Sequence, residues 1–408
     1  MKKVFVAVFI FIILLAAMLQ SNPTVEGDKD DISFIIQMSG TLSNNGTKTW
    51  DLIEEDRTFN LFMNNTWQTV MLINHSYPLE TNKSDGDGNP IAVLQFPKSE
   101  LQPGENISYT ISCRAIWKPR LIPSISEVLS ETLNEIPQNL TEEYCQEEGP
   151  WLLSDTELRN LTQNVAQNET NVLAAVNKFV VWIWQNIQAP HTPVLHEVPL
   201  YPNETFKYKE GDCDDQAVLL ITLCRIYGIP SYLQTGCMYM PELGSFTETL
   251  WDGHATVVSK RIGWHGWAIV YVPPWGWLPF DLTYAIGGKG NPLNAIKTSA
   301  VVMRKTIQWM NVSQTDYVAS ARKQREFVKS NNLYIYEEDE ITQETPTEDF
   351  WNEQLPWIFI ATLTATVIIL GVVAWKAQKK RLKRVSQPVD LGSQQSPLHK
   401  LPSSLQHH

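Results

Sequence analysis

Gly211-Asp212-Cys213-Asp214-Asp215-Gln216-Ala217-Val218-Leu219-Leu220 is the stretch that decides how this 408-residue chain is read. Asp212 suits a helix N-cap, and Asp215 three residues on completes an acidic capping box, so Cys213 becomes the first helical residue. Ala217, Leu220 and Cys224 continue its face at i+4, i+7 and i+11, a stripe made for packing. Gly228 and then Pro230 end the helix. A thiol in the first turn meets free N–H groups and the positive end of the helix dipole, both of which favour thiolate. A buried structural cysteine is the competing reading.

The next segments bear on that choice. Residues 229–240 suit a strand returning along the helix. Trp264-His265-Gly266-Trp267-Ala268-Ile269-Val270-Tyr271-Val272 and Trp277-Leu278-Pro279-Phe280-Asp281-Leu282-Thr283 read as two strands joined by the turn Pro273-Pro274-Trp275-Gly276. With an odd loop of three or five residues His265 faces Thr283, and Asp281 falls two residues away on the same face. That diagonal of about 7 Å is within reach of a His–Asp hydrogen bond, whereas an even loop puts Asp281 on the other face. Cys213, His265 and Asp281 are then the side chains thiol acyl transfer needs: nucleophile, acid/base and orienter, with N–H groups at the helix start for the oxyanion. His254 is a rival base, but its offset of 27 residues from Asp281 demands an intervening strand.

These residues resemble the transglutaminase-like cysteine enzymes. The motifs are Gly211-Asp212-Cys213, Gly228-Ile229-Pro230, His265-Gly266-Trp267 and Gly276-Trp277-Leu278-Pro279-Phe280-Asp281. Gly266 stands where alanine is common, and Ser231 and Tyr232 replace an arginine that often follows Gly-Ile-Pro. The resemblance implies an α+β, papain/transglutaminase-like core over residues 172–290, a helix bearing the cysteine packed on an antiparallel sheet. It also implies an N-terminal β-domain of the kind that exported, membrane-anchored prokaryotic members carry. The second oxyanion donor is open, with Tyr208 as a candidate.

The ends carry membrane signals. Met1-Lys2-Lys3 and the apolar run to Leu19 read as a signal peptide or uncleaved anchor over 1–21. Residues 355–375 are uncharged and long enough for a transmembrane helix, and Lys376 to Arg384 form a basic flank, placing the tail 376–408 in the cytoplasm and the rest outside the cell. The whole chain carries −12, the tail +6 and the first 21 residues +2, leaving −20 for the outer part. Such a surface disfavours nucleic acid and suits cationic partners. Sequons at Asn45, Asn64, Asn74, Asn82, Asn106, Asn139, Asn160, Asn168, Asn203 and Asn311 all fall in that part, as expected of a glycoprotein. Five cysteines allow two disulfides beside a free Cys213, with Cys113–Cys145 and Cys224–Cys237 nearest in sequence; the latter two suit reduced core residues equally well.

The remaining segments give the organisation. Short β-rich runs broken by turns predict a β-sandwich over 24–116. Asp85 and Asp87, in one such turn, lack a full calcium-loop motif and read as a solvated hairpin. A helical connector (117–171) leads to the core, and the stripe from Val172 to Ile187 marks a core helix. His191 and His196 lack the partners of a metal site. A helical extension (291–336) follows, and residues 337–354, acidic and without a base, read as a solvated stalk to the membrane. No nucleotide loop, haem motif or complete ligand set occurs, so neither cofactor nor metal is expected. The reading is a membrane-anchored extracellular thiol enzyme that transfers or hydrolyses an acyl group at an amide of a protein or peptide. A non-catalytic surface binding or scaffold module on the same fold is the alternative.

Overall fold

The computed structural model describes residues 31–190, 197–344 and Lys376. The expected leader, membrane span, remaining tail, residues 345–354 of the stalk, and His191 and His196 lie outside these residues. Among the described residues no helix is long and apolar enough to cross a membrane.

Eight strands come first: β1 (Ile32–Asn44), β2 (Trp50–Asp51), β3 (Thr58–Asn60), β4 (Gln68–His75), β5 (Leu79–Ser84), β6 (Pro90–Leu94), β7 (Glu100–Leu101) and β8 (Asn106–Trp117). Five helices follow: α1 (Gln138–Tyr144), α2 (Thr156–Ala166), α3 (Val172–Asn186), α4 (Pro202–Tyr208) and α5 (Cys213–Ile226). Then come β9 (Ser231–Tyr239), β10 (Ser245–Leu250), β11 (Ala255–Lys260), β12 (Ile262–Val272) and β13 (Gly276–Phe280). The last elements among the described residues up to 344 are α6 (Asn294–Lys297), α7 (Ala300–Met303), β14 (Thr306–Val312), α8 (Tyr317–Ser330) and β15 (Leu333–Gln343).

The core sheet has the order β13-β12-β9-β14 and is antiparallel throughout. Helix α5 packs Ala217, Leu220 and Cys224 into one cluster with Leu233, Ala268 and Val270 of this sheet and Phe179 and Ile183 of α3. Burying such side chains completely is worth roughly 1.5–3 kcal/mol each, which fixes the helix that carries Cys213. A second cluster joins the core sheet, through Cys237, Ile262 and Ile307, to Phe34, Ile36, Ala115 and Ile341 of a larger sheet. The architecture is the expected mixture of helices and sheets.

That larger sheet changes the domain reading. Its order, β10-β11-β15-β1-β8-β4, combines N-terminal strands with strands from the central and last parts of the chain. The β-rich N-terminus is therefore not a self-contained sandwich, because β1 takes one neighbour from nearby β8 and the other from distant β15. Residues 337–343, expected to begin the stalk, lie in β15, antiparallel to β1 and parallel to β11. The segment 291–336 is not simply helical either, since β14 completes the core sheet.

Two smaller expectations also change. Asp87 is no solvated turn residue: its carboxylate accepts the backbone N–H groups of Ser313, Gln314 and Thr315, while Asn89 exchanges hydrogen bonds with the Asn311 backbone. This turn latches the N-terminal strands to the end of β14. All five cysteines are free, and Cys113, Cys224 and Cys237 lie in three separate apolar clusters. Of the sequon asparagines, Asn203 and Asn311 are half-buried, and Asn311 Oδ1 accepts from Gln234 Nε2; Asn82 has no described side chain, and the other seven are exposed.

Candidate active site

The hairpin sets the first distance. Ala268 pairs with Phe280 and Val272 with Gly276, so three residues, Pro273 to Trp275, form the loop. His265 and Asp281 therefore share a face, and His265 Nε2 lies 2.9 Å from Asp281 Oδ2. The His265 side chain is 7% exposed and that of Asp281 1%. Asp281 Oδ2 also accepts the N–H of Ala300 at the start of α7, and Oδ1 those of Thr283 and Tyr284. Burial alone would raise this carboxyl, but the neighbouring imidazole and the backbone N–H groups hold it below its ordinary value. An anionic Asp281 keeps the imidazole proton on Nε2 and leaves Nδ1 as the acceptor.

Cys213 is the first residue of α5, with the capping box in place: Asp212 N–H donates to Asp215 Oδ2. Asp215 Oδ1 accepts the Leu200 N–H, which ties down the segment leading into α4. The Gly266 N–H points to the thiol, so Cys213 lies against the peptide that follows His265. Gly266 permits this close approach: a Cβ would come 3.0 Å from the Asp214 Cβ, so Asp214 would have to shift to make room for one.

The electrostatics differ from the expectation for a helix N-terminus. Cys213 keeps some accessible surface, yet the dense shell about its sulfur pushes the thiol well above its usual pKa, and the charges of Asp214 and Asp212 push it further. Burial first, and the local carboxylates after it, work against the dipole. The thiol hydrogen bond runs to Asp214 Oδ1, 3.9 Å away, rather than to an imidazole nitrogen. The other oxygen of Asp214 accepts the hydroxyl of Tyr317, whose burial keeps it protonated. Asp212 is itself raised by burial and by Asp214 and Asp215. Asp212, Cys213 and Asp214 bring ligand-type atoms within 4.8 Å of one another, three potential donors but not a closed coordination shell.

The other candidates take different places. His254 gives Nδ1 to a hydrogen bond with Leu333 O at 2.7 Å and stacks on Tyr334, so it is committed to β15. Tyr208 is exposed at the end of α4, with Lys207 over its ring. Trp267, part of the His265-Gly266-Trp267 motif, lies 6.0 Å from the His265 ring, and Tyr284, which carried no sequence signal, meets it edge-on at 6.2 Å. Arg304 Nε donates to the Tyr284 hydroxyl and holds that wall in position.

A family model for the transglutaminase-like superfamily matches residues 159–282, a span that contains Cys213, His265 and Asp281. A search of curated proteins returned no match. Among solved structures, a candidate cysteine protease from Cytophaga hutchinsonii is similar at a TM-score of 0.47 and 15% identity, covering 78% of this chain and 90% of its own. The periplasmic domain of TgpA from Pseudomonas aeruginosa gives 0.28 and 14%, with 68% and 98% covered. Red sea bream transglutaminase gives 0.28 and 10%, with 64% and 49% covered. The match identifies residues 159–282 as a transglutaminase-like domain.

Proposed function

We propose that the chain is a thiol enzyme performing acyl transfer or hydrolysis at an amide or peptide bond, with Cys213 as nucleophile, His265 as acid/base and Asp281 as its orienter. The observation that carries this reading is the His265–Asp281 hydrogen bond, made by a pair fixed within the sheet against which the cysteine helix docks. A structural histidine has no need of a carboxylate held anionic by three backbone N–H groups. With the resting thiol protonated, the imidazole acts as general base during attack rather than as half of a preformed ion pair. The Cys213 N–H at the helix start is one oxyanion donor. Water resolving the acyl-enzyme gives hydrolysis, and an amine gives a cross-link.

The reading places this chemistry outside the cell, on a protein or peptide substrate. Residues 355–375 would be the anchor, the tail would be cytoplasmic, 1–21 would be a signal or second anchor, and the exposed sequons would carry glycans. Its support is the uncharged run, the basic flank and the one-sided distribution of sequons. A non-catalytic surface module is the second reading, favoured by the acidic residues that flank the thiol and raise its pKa.

Alkylation by iodoacetamide across pH, with the modified cysteine mapped by mass spectrometry, separates the two. Modification concentrated at Cys213, lost in His265→Ala and kept in His254→Ala, supports the enzyme. Slow modification at an ordinary or raised thiol pKa, unchanged by either substitution, leaves the binding module.

A further inference from the structure

Strand β15 buries Leu333, Ile335 and Ile341 on its inward face, and Glu337 and Asp339 hold the two inward positions between them. Acids at two successive core-facing positions break the alternation that otherwise defines the strand, and such breaks mark functional places. They face a cavity of about 430 Å³ outside the thiol site. Four carboxylates line it, those of Glu55, Asp56, Glu337 and Asp339, and no Lys, Arg or His is among the lining residues. Its walls are aromatic, formed by Trp50, Phe59, Tyr109, Trp264, Trp309 and Phe327.

The carboxylates are incompletely served. Asp339 accepts one hydrogen bond, from Trp264 Nε1 at 3.0 Å. Glu337 is exposed to the cavity, and among the described residues it makes no hydrogen bond or ion pair. Burial raises the pKa of Asp339. Gly40 pairs with Tyr109 on one side and Glu337 on the other, and a Cβ there would sit 2.2 Å from the Tyr109 ring. The glycine lets an aromatic ring cross the strand beside the unpaired acid.

A carboxylate beside apolar walls and without a cationic partner favours a cation placed next to it, and aromatic faces attract cations through their quadrupoles. A bare metal ion would want six or more oxygens, which aromatic walls do not supply. We propose that this cavity binds an organic ammonium ion, its charged head at Glu337 and Asp339 and its alkyl body against the tryptophans. The ammonium belongs either to a lysine side chain of a partner or to a free amine or quaternary ammonium.

The test is titration calorimetry on the full-length chain with choline, hexylammonium, N-acetyl-lysine amide, the uncharged choline isostere 3,3-dimethylbutanol, and calcium chloride. At least one ammonium probe is expected to bind at least tenfold more tightly than the uncharged isostere. Glu337→Gln should weaken it at least tenfold, and Phe327→Leu, which thins one wall at a partly exposed position, several-fold. Preference for the lysine derivative assigns the source to a protein side chain, and preference for choline to a free ligand. The proposal is overturned if no ammonium probe binds at millimolar concentration, if the isostere binds equally well, if only calcium binds, or if Glu337→Gln, folded by circular dichroism, binds unchanged. Should Glu337→Gln fail to fold, unchanged affinity in Phe327→Leu overturns it instead.

Discussion

Asp281 and Glu337 are both carboxylates beside apolar packing, one buried and one open to a cavity, and the protein treats them in opposite ways. Asp281 receives an imidazole and three backbone N–H groups, which outweigh its desolvation and keep it anionic. Glu337, exposed to its cavity, receives no partner from the described residues. The first region is finished by its own chain; the second is finished only by something added. A satisfied buried acid points to a positioning role, and an unsatisfied one points to a ligand.

The largest test of the finished region is Asp281→Ala. It strands the imidazole and three N–H groups, and should cost about 3–5 kcal/mol in denaturant unfolding while abolishing His265-dependent alkylation of Cys213. Next is Gly266→Ala, whose Cβ must push Asp214 away from β12. A loss of about 1–3 kcal/mol is expected, with a changed alkylation rate, and an unchanged melting temperature would show that the close approach is slack.

A third test contrasts the two regions by pH. Burial pushes Asp339, on the cavity floor, up to about 7 when folded, against 3.8 for an ordinary aspartate. Folding takes up a proton between those values, so this contribution falls as pH rises from about 4 to about 7. Asp281 has the opposite sign, because its depressed pKa gives stability above 3.8 that is lost as pH falls through the folded value. Comparing unfolding at pH 5 and pH 7.5, Asp339→Asn should remove a loss on the order of 2 kcal/mol, whereas a slope equal to that of the unsubstituted protein would mean that Asp339 is not the titrating group.

Smaller effects sharpen the thiol site. Asp214→Asn removes the carboxylate nearest the sulfur, so the Cys213 pKa should fall and alkylation at pH 7 rise by roughly tenfold, one pKa unit. His254→Ala should leave alkylation unchanged and cost about 1 kcal/mol, the value of its bond to Leu333.

The cysteine helix and hairpin were legible because their signals are local. The capping box, the 3.6-residue stripe and a three-residue loop each lie within a few residues of what they specify. The acidity around Cys213 was visible in the letters of Asp212, Asp214 and Asp215, but its effect depends on burial, which no spacing reports. Strand β15 was misread because Glu337-Glu338-Asp339-Glu340 resembles a solvated run; its alternation survives only in Leu333, Ile335 and Ile341. The larger sheet was illegible for another reason: the partners of β1 lie up to about 300 residues away, and pattern alone does not choose between distant edges.

The place of β15 bears on how the molecule is made. Translation delivers β1 and β8 early, yet the other edge of β1 stays open until residue 343 has left the ribosome. For most of synthesis the nascent chain carries a bare strand edge, a template for pairing with the wrong neighbour. Truncation before Leu333 would make that interval permanent, so a shortened chain is expected to be lost to aggregation even with Cys213, His265 and Asp281 all present.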